Sequence, residues 1–164
     1  MGVIRDMIGS RGEAICYVLL TKPYPGRDVL FRPHFLGDKW QHADFLVEVI
    51  GVPGTIPFFF VQVKATREGY TQRETRLQIQ AESGSVIGLS SYPAPTYLVG
   101  VDESAETGYI VSVNGENLSS MASMNTAYPL EDANRMALWE EVRTFWGTRT
   151  YPKLNSIFQD ARWR

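Results

Sequence analysis

The chain has 164 residues, of which 44% are hydrophobic and 12% aromatic, so it can build one folded domain with a substantial core. This composition excludes an intrinsically disordered protein, and no apolar run approaches the length of a membrane-spanning helix. A single cysteine, Cys16, excludes an internal disulfide and a cysteine-rich zinc site. The N-terminal stretch does not match a secretory signal. We therefore expect a cytoplasmic protein with one domain over residues 1–164.

The net charge of −2 conceals an uneven distribution. Residues 1–80 carry ten basic and eight acidic side chains, and residues 81–134 carry seven acidic side chains and no basic ones. Residues 135–164 carry six basic and three acidic side chains. The basic groups are therefore confined to the first half and to the C-terminus. This distribution permits contacts with phosphate groups, and it is equally compatible with an ordinary solvated surface.

Hydrophobic periodicity and turn signals predict short strands between helices. A helix is predicted over 2–20, and a strand over 29–36 should lie at a sheet edge because Pro33 cannot donate a hydrogen bond. The other predicted elements are strands over 44–50, 58–66 and 76–81, a helix over 83–91, strands over 96–101 and 109–113, a loop over 114–128, and a helix over 131–146. This order predicts an α/β fold with an α-β-β-β-α-β core over about 2–113, a mixed central sheet flanked by helices, and a helical appendage over about 130–164.

Asp44, Gln62 and Lys64 form the most informative pattern in the sequence. Asp44 begins one predicted strand, and a turn at Pro53-Gly54 joins that strand to the one that carries Gln62 and Lys64. Because side chains alternate along a strand, Gln62 and Lys64 point the same way. A hairpin would bring a carboxylate, an amide oxygen and an ammonium group together. Such a cluster can hold a divalent cation and a polarised water beside a phosphodiester.

Asp44 and the segment Val61-Gln62-Val63-Lys64 resemble the signature of the PD-(D/E)XK, or restriction-endonuclease-like, nucleases. The resemblance is strongest to the branch in which glutamine replaces the second acid, as in Mrr-like restriction enzymes. Glu13, on the first helix, is similar to the additional acidic ligand that many of these nucleases carry. Ala43 stands where the family name has proline, which affects only the local backbone. Gln62 is the larger departure because its amide brings no charge to a hard cation.

The resemblance implies an endonuclease that depends on Mg²⁺ or Mn²⁺ and hydrolyses phosphodiester bonds, most naturally in DNA. It implies that Asp44, Gln62, the carbonyl of Val63 and Glu13 hold the metal, with Glu13 bound directly or through water. Lys64 would position the attacking water and stabilise developing negative charge. The family context implies bacterial or phage defence or DNA repair. A protein partner that supplies target recognition and a homodimer both remain open, and no membrane partner is expected.

The same residues also have ordinary structural interpretations. Asp44 could accept hydrogen bonds from turn amides, Lys64 could extend its charge into solvent, and Glu13 could be a solvated helix residue. The fold could also have lost activity and bind nucleic acid or a partner protein. A structural or small-molecule-binding protein that only mimics the motif is a third alternative. Gln78 and Gln80 share one strand face, which is either a plain polar surface or a nucleic-acid contact.

The remaining candidates are assigned mainly to packing. The last helix places four large side chains on one face, which should be buried against the core or a second copy of the chain: Met136, Trp139, Val142 and Trp146. Cys16 is expected as a core thiol, and His34 as a structural residue. His42, two residues before Asp44, is expected to line the site.

Overall fold

A five-stranded mixed sheet with helices packed against it forms the centre of the computed structural model, which describes residues 2–73, 75–115, 117–149 and 154–163. The helices are α1 (Gly2–Thr21), α2 (Ser83–Ser90) and α3 (Asp132–Gly147), and a 3₁₀ turn covers Ala161–Trp163. The strands are β1 (Phe31–Phe35), β2 (Phe45–Val49), β3 (Phe58–Thr66), β4 (Arg76–Leu77), β5 (Thr96–Asp102), β6 (Thr107–Ser112) and β7 (Met124–Asn125). The predicted fold class and element order are confirmed.

The strand order of the large sheet is β1-β2-β3-β5-β6. Strands β3 and β5 pair in parallel, and the other neighbours pair antiparallel. Strand β1 lies at an edge, as its proline predicted. Strands β4 and β7 form a separate two-stranded ribbon. Strand β7 falls within the predicted loop over 114–128, and that part of the prediction is wrong because so short a strand is defined only by its distant partner.

The β2–β3 hairpin sets the register of the sheet at its centre. Phe45 lies opposite Val61, and Val49 N donates to Pro57 O at 2.8 Å near the turn. Gly54 adopts a φ of 75°, a conformation that side chains disfavour, as the predicted turn requires. The two strands of the motif are therefore adjacent and antiparallel, as predicted.

Two hydrophobic clusters cover the two faces of the sheet. The first packs α1 and α3 against residues such as Val61 and Val63, and the second packs α2 and the β4–β7 ribbon against Phe60 and Leu98. Successive side chains of β3 therefore enter different clusters, as strand alternation demands. This arrangement decides which partners each residue of the motif can meet.

Helix α3 buries the predicted face against the core of the same chain. Val142 and Trp139 are buried, and Met136 and Trp146 pack against the first cluster at its margin. The indole N–H of Trp139 donates to Ile50 O at 2.8 Å. Residues 150–153 and 164 of the predicted appendage, Glu74 of the excursion after β3 and Glu116 of the predicted loop lie outside the described residues. Within the described ranges, none of the helices combines the length and apolar character needed to cross a bilayer.

Candidate active site

Asp44 lies one residue before β2, on the side of the sheet towards which β3 and β5 run. This placement follows from topology, because β2 runs antiparallel to β3 while β5 runs parallel to it. Asp44 N donates to Val61 O at 2.8 Å, and the Asp44 carboxylate accepts from Val63 N at 2.6 Å. The hairpin therefore brings the predicted carboxylate directly against the segment that holds Gln62 and Lys64.

Gln62 is buried, with 6% of its surface exposed. Its side-chain oxygen Oε1 is inaccessible and has no hydrogen-bond partner among the described residues. An unpaired buried acceptor of this kind costs about 1–3 kcal/mol, so folded proteins rarely keep one. The oxygen lies on the residue that the motif assigns to metal binding. A bound cation would satisfy it.

Glu13 approaches these residues from the other face of the sheet. Helix α1 lies so close to β3 that a Cβ at Gly12 would overlap the side chain of Ala65. Val63 and Ala65 therefore face α1, and the alternating Gln62 and Lys64 face the opposite way. Helix α1, which carries Glu13, therefore packs beside the motif, on the face opposite Lys64.

The charges of these groups nevertheless interact across the end of the strands. Burial raises the pKa of the Asp44 carboxyl, and the Val63 N–H and the Lys64 ammonium oppose that rise. Burial also raises the pKa of Glu13, and the charge of Asp44 adds to the effect. Each carboxylate therefore carries an electrostatic cost in the protein alone. A nearby cation would remove that cost.

Asp38 was not foreseen as part of this environment. Its carboxylate, in the exposed turn between β1 and β2, raises the pKa of both Glu13 and Asp44. Cys16 lies fully buried below them, and burial, followed by the charges of Asp44 and Glu13, raises its pKa far above the ordinary value. Cys16 is thus the core thiol that the sequence predicted. Gly37, with a φ of 69°, marks this turn, and such a turn just before Asp44 is the local signal that could have pointed to Asp38.

The donor set fits a divalent cation only when the amide is included. Within the part of the chain that the structure describes, no three histidine, cysteine, aspartate or glutamate side chains converge as a metal-binding group. The motif assigns two anionic residues to the set, Asp44 and Glu13, and Asp38 adds negative charge nearby. The unpaired oxygen of Gln62 and the oxygen-only chemistry of the set suit a hard cation such as Mg²⁺.

A buried carboxylate at the same end of the sheet was not predicted from the sequence. Glu103, 5% exposed at the end of β5, accepts from the Nε of Arg11 and from the Nε of Arg67 at 2.5 Å. Arg67 and Arg11 lower the pKa of Glu103 to about 2. Arg11 lies two residues before Glu13, and Arg67 follows Lys64 by three. This network therefore ties α1 to the ends of β3 and β5.

The two histidines have different surroundings. His42 adopts a φ of 66°, which is unusual for a residue with a side chain, and its ring lies so close to Gly88 of α2 that a Cβ there would overlap it. His42 thus packs against α2 and fixes the chain just before Asp44. The Nε2 of His34, on the edge strand β1, lies 2.7 Å from Glu48 Oε2 on the neighbouring strand β2, consistent with the predicted structural role.

Comparison with known proteins identifies the fold. The chain is similar to a bacterial homing endonuclease, I-Ssp6803I, with a TM-score of 0.53 and 14% sequence identity. The match covers 88% of this chain and 97% of that one. No family model matches the sequence, and no curated protein does so either. At this identity the likeness shows a shared fold alone. Membership of the PD-(D/E)XK nucleases and of the Mrr-like branch stays a prediction.

Proposed function

We propose that the protein is a metal-dependent endonuclease that hydrolyses phosphodiester bonds in DNA. The observation that carries this proposal is the buried, unpaired side-chain oxygen of Gln62, which lies in β3 between the two residues, Val61 and Val63, that Asp44 hydrogen-bonds. This oxygen and the Asp44 carboxylate are both unfavourable in the protein alone, and one cation would compensate both. The fold shared with a homing endonuclease adds support.

The residues of the site divide the work between binding and chemistry. Asp44, Gln62 and the carbonyl of Val63 would hold the cation. Glu13, which approaches from the opposite face of the sheet, would reach it past the end of the strands, directly or through water. When bound, the metal supplies positive charge that polarises the phosphoryl group and acidifies a water. The ammonium of Lys64 orients that water and stabilises the negative charge that develops on the phosphoryl oxygens. The Val63 N–H holds the Asp44 carboxylate in place.

Cleavage of supercoiled plasmid tests the proposal. We expect the purified protein to nick the plasmid with Mg²⁺ or Mn²⁺ and to stop when the metal is chelated. Lys64→Ala should reduce turnover by at least about a hundredfold while metal-induced thermal stabilisation is retained. Lys22→Ala, which removes an exposed lysine at the end of α1, is the matched control and should cleave normally.

A second function, a binding module without activity, is favoured by one observation. The neutral Gln62 leaves the donor set with few charges, and no larger acidic group supplements it in the described chain. Gln62→Glu separates the two functions, because an added carboxylate should tighten metal binding and keep or raise activity. If wild type and Gln62→Glu both fail on single-stranded, double-stranded and branched DNA with either metal, the protein is a binding module.

The cellular role is part of the same proposal. The resemblance to restriction-endonuclease-like nucleases favours a role in defence against foreign DNA or in DNA repair. Recognition of a target by a separate protein partner or by a second copy of the chain would suit so small a nuclease. Purification of the native protein together with any bound proteins, followed by measurement of the mass of the complex, would identify such a partner.

A further inference from the structure

The β4–β7 ribbon lies over the large sheet next to Lys64. Gly100 is the strand partner of Lys64, and the space above it is filled by Leu77 of β4 and Met124 of β7. A Cβ at Gly100 would lie 2.6 Å from the sulfur of Met124, so the ribbon can approach this closely only at a glycine. The ribbon therefore packs on the side of the sheet that Lys64 faces, one layer further out.

The outer face of the ribbon is polar and rich in arginine and glutamine. Leu77 and Ile79 are buried, whereas the alternate Arg76 and Gln80 are exposed and Gln78 is partly exposed. Arg73, in the turn before β4, is also exposed. We call Arg73, Arg76, Gln78 and Gln80 the ribbon face.

Hydrogen bonds hold two members of this face, Arg76 and Gln78, in a defined conformation. Arg76 donates from Nε to Ser123 Oγ and from Nη2 to Ser123 O, both at 2.8 Å. The Gln78 amide N–H₂ donates to Glu68 O at 3.2 Å and to Tyr70 O at 3.0 Å, which leaves its oxygen as the available acceptor. Side chains fixed in this way lose little conformational freedom when they bind a partner.

We infer that the ribbon face reads base pairs in the major groove of duplex DNA, beside the phosphodiester at Lys64. A two-stranded ribbon fits the B-form major groove, which is about 12 Å wide. Arginine there recognises guanine and glutamine recognises adenine, each through two hydrogen bonds, whereas Gln78, whose amide donors are engaged, can accept one bond from the amino group of adenine or cytosine. The inference rests on the proposed function, because it takes the Lys64 side of the sheet as the side that meets DNA.

Selection from duplexes with randomised base pairs tests the inference. The intact protein is used in a chelating buffer, so that binding is measured without cleavage. Wild type should prefer particular base pairs at two or more positions. Arg73→Ala and Gln80→Ala should each weaken one of those preferences about ten- to hundredfold.

Two further variants show whether geometry or charge is responsible. Arg73→Lys keeps the positive charge but loses the paired donors, so it should lose the preference while its affinity for unrelated duplex stays within about threefold. Arg143→Ala removes an exposed arginine from α3, on the opposite face of the sheet, and should leave the preference unchanged. Arg73 and Gln80 are exposed, and thermal unfolding checks that the variants fold.

Several outcomes would overturn the inference. These are equal loss of affinity for all sequences in Arg73→Ala, unchanged preferences in every ribbon variant, and equal binding of double-stranded RNA, whose deep and narrow major groove excludes a ribbon. A protein that selects base pairs through Arg73 but never nicks DNA supports the ribbon and contradicts the nuclease. A protein that nicks DNA but keeps its base-pair preferences in every ribbon variant supports the nuclease and contradicts the ribbon inference.

Discussion

Replacing Gln62 by methionine should stabilise the metal-free protein. Methionine has nearly the length of glutamine and fills the same buried space, but it has no amide oxygen that needs a partner. Removing an unpaired buried acceptor should raise the free energy of unfolding by about 2 kcal/mol, because leaving one in place costs about 1–3 kcal/mol. For a domain of this size that gain raises Tm by roughly 4–8 °C.

The assay is thermal unfolding in the presence of a chelator and again with a divalent cation. At a cation concentration of ten times Kd, binding should stabilise wild type by about 1.4 kcal/mol. Gln62→Met should lose most of this gain, because one ligand of the site is gone. Stability without metal and affinity for metal are thus predicted to change in opposite directions.

Gln78→Met is the matched control. The amide of Gln78 donates to the carbonyls of Glu68 and Tyr70, so the same substitution breaks satisfied hydrogen bonds there. It should lower the unfolding free energy by about 1 kcal/mol and leave the metal response unchanged. If Gln62→Met unfolds at a lower temperature than wild type in chelating buffer, the buried oxygen is not an unmet acceptor and the argument for the cation fails.

Three further predictions concern charge and packing. Because the Asp44 pKa is raised, ionisation of this carboxyl lowers the stability of wild type as pH rises above 3.8. Asp44→Asn should therefore be at least as stable as wild type in chelator at pH 8, and it should lose the metal-induced rise in Tm. The ionised Glu103 should contribute its full stabilisation above pH 4.5 and lose it as pH falls towards its pKa of about 2. The unfolding free energy of Glu103→Gln, measured with urea, should therefore depend less on pH over that range than that of wild type. Trp139→Ala should cost about 4 kcal/mol by denaturant unfolding, since it empties a buried site and removes the bond to Ile50 O; a loss below about 1 kcal/mol would show that α3 contributes little.

The sequence by itself determined the local features of this protein. Alternation along 58–66 placed Gln62 and Lys64 on one side of a strand, and the Pro53-Gly54 turn joined that strand to Asp44 in an antiparallel hairpin. The spacing of Val142 and Trp139 fixed the buried face of α3. These features depend on neighbours within one turn or one hairpin, so the residue pattern contains them.

Only the tertiary structure decided how those pieces form a site. The parallel pairing of β3 with β5 and the bridge from Arg11 to Glu103 join residues far apart in the chain, and no local pattern encodes such contacts. The approach of α1 to β3 at Gly12 put Glu13 on the face opposite Lys64. The environment of Gln62, buried and without a partner, also depends on both layers packed around β3. Burial and long-range charge are properties of the assembled layers, and therefore the sequence could name these residues but not their energies.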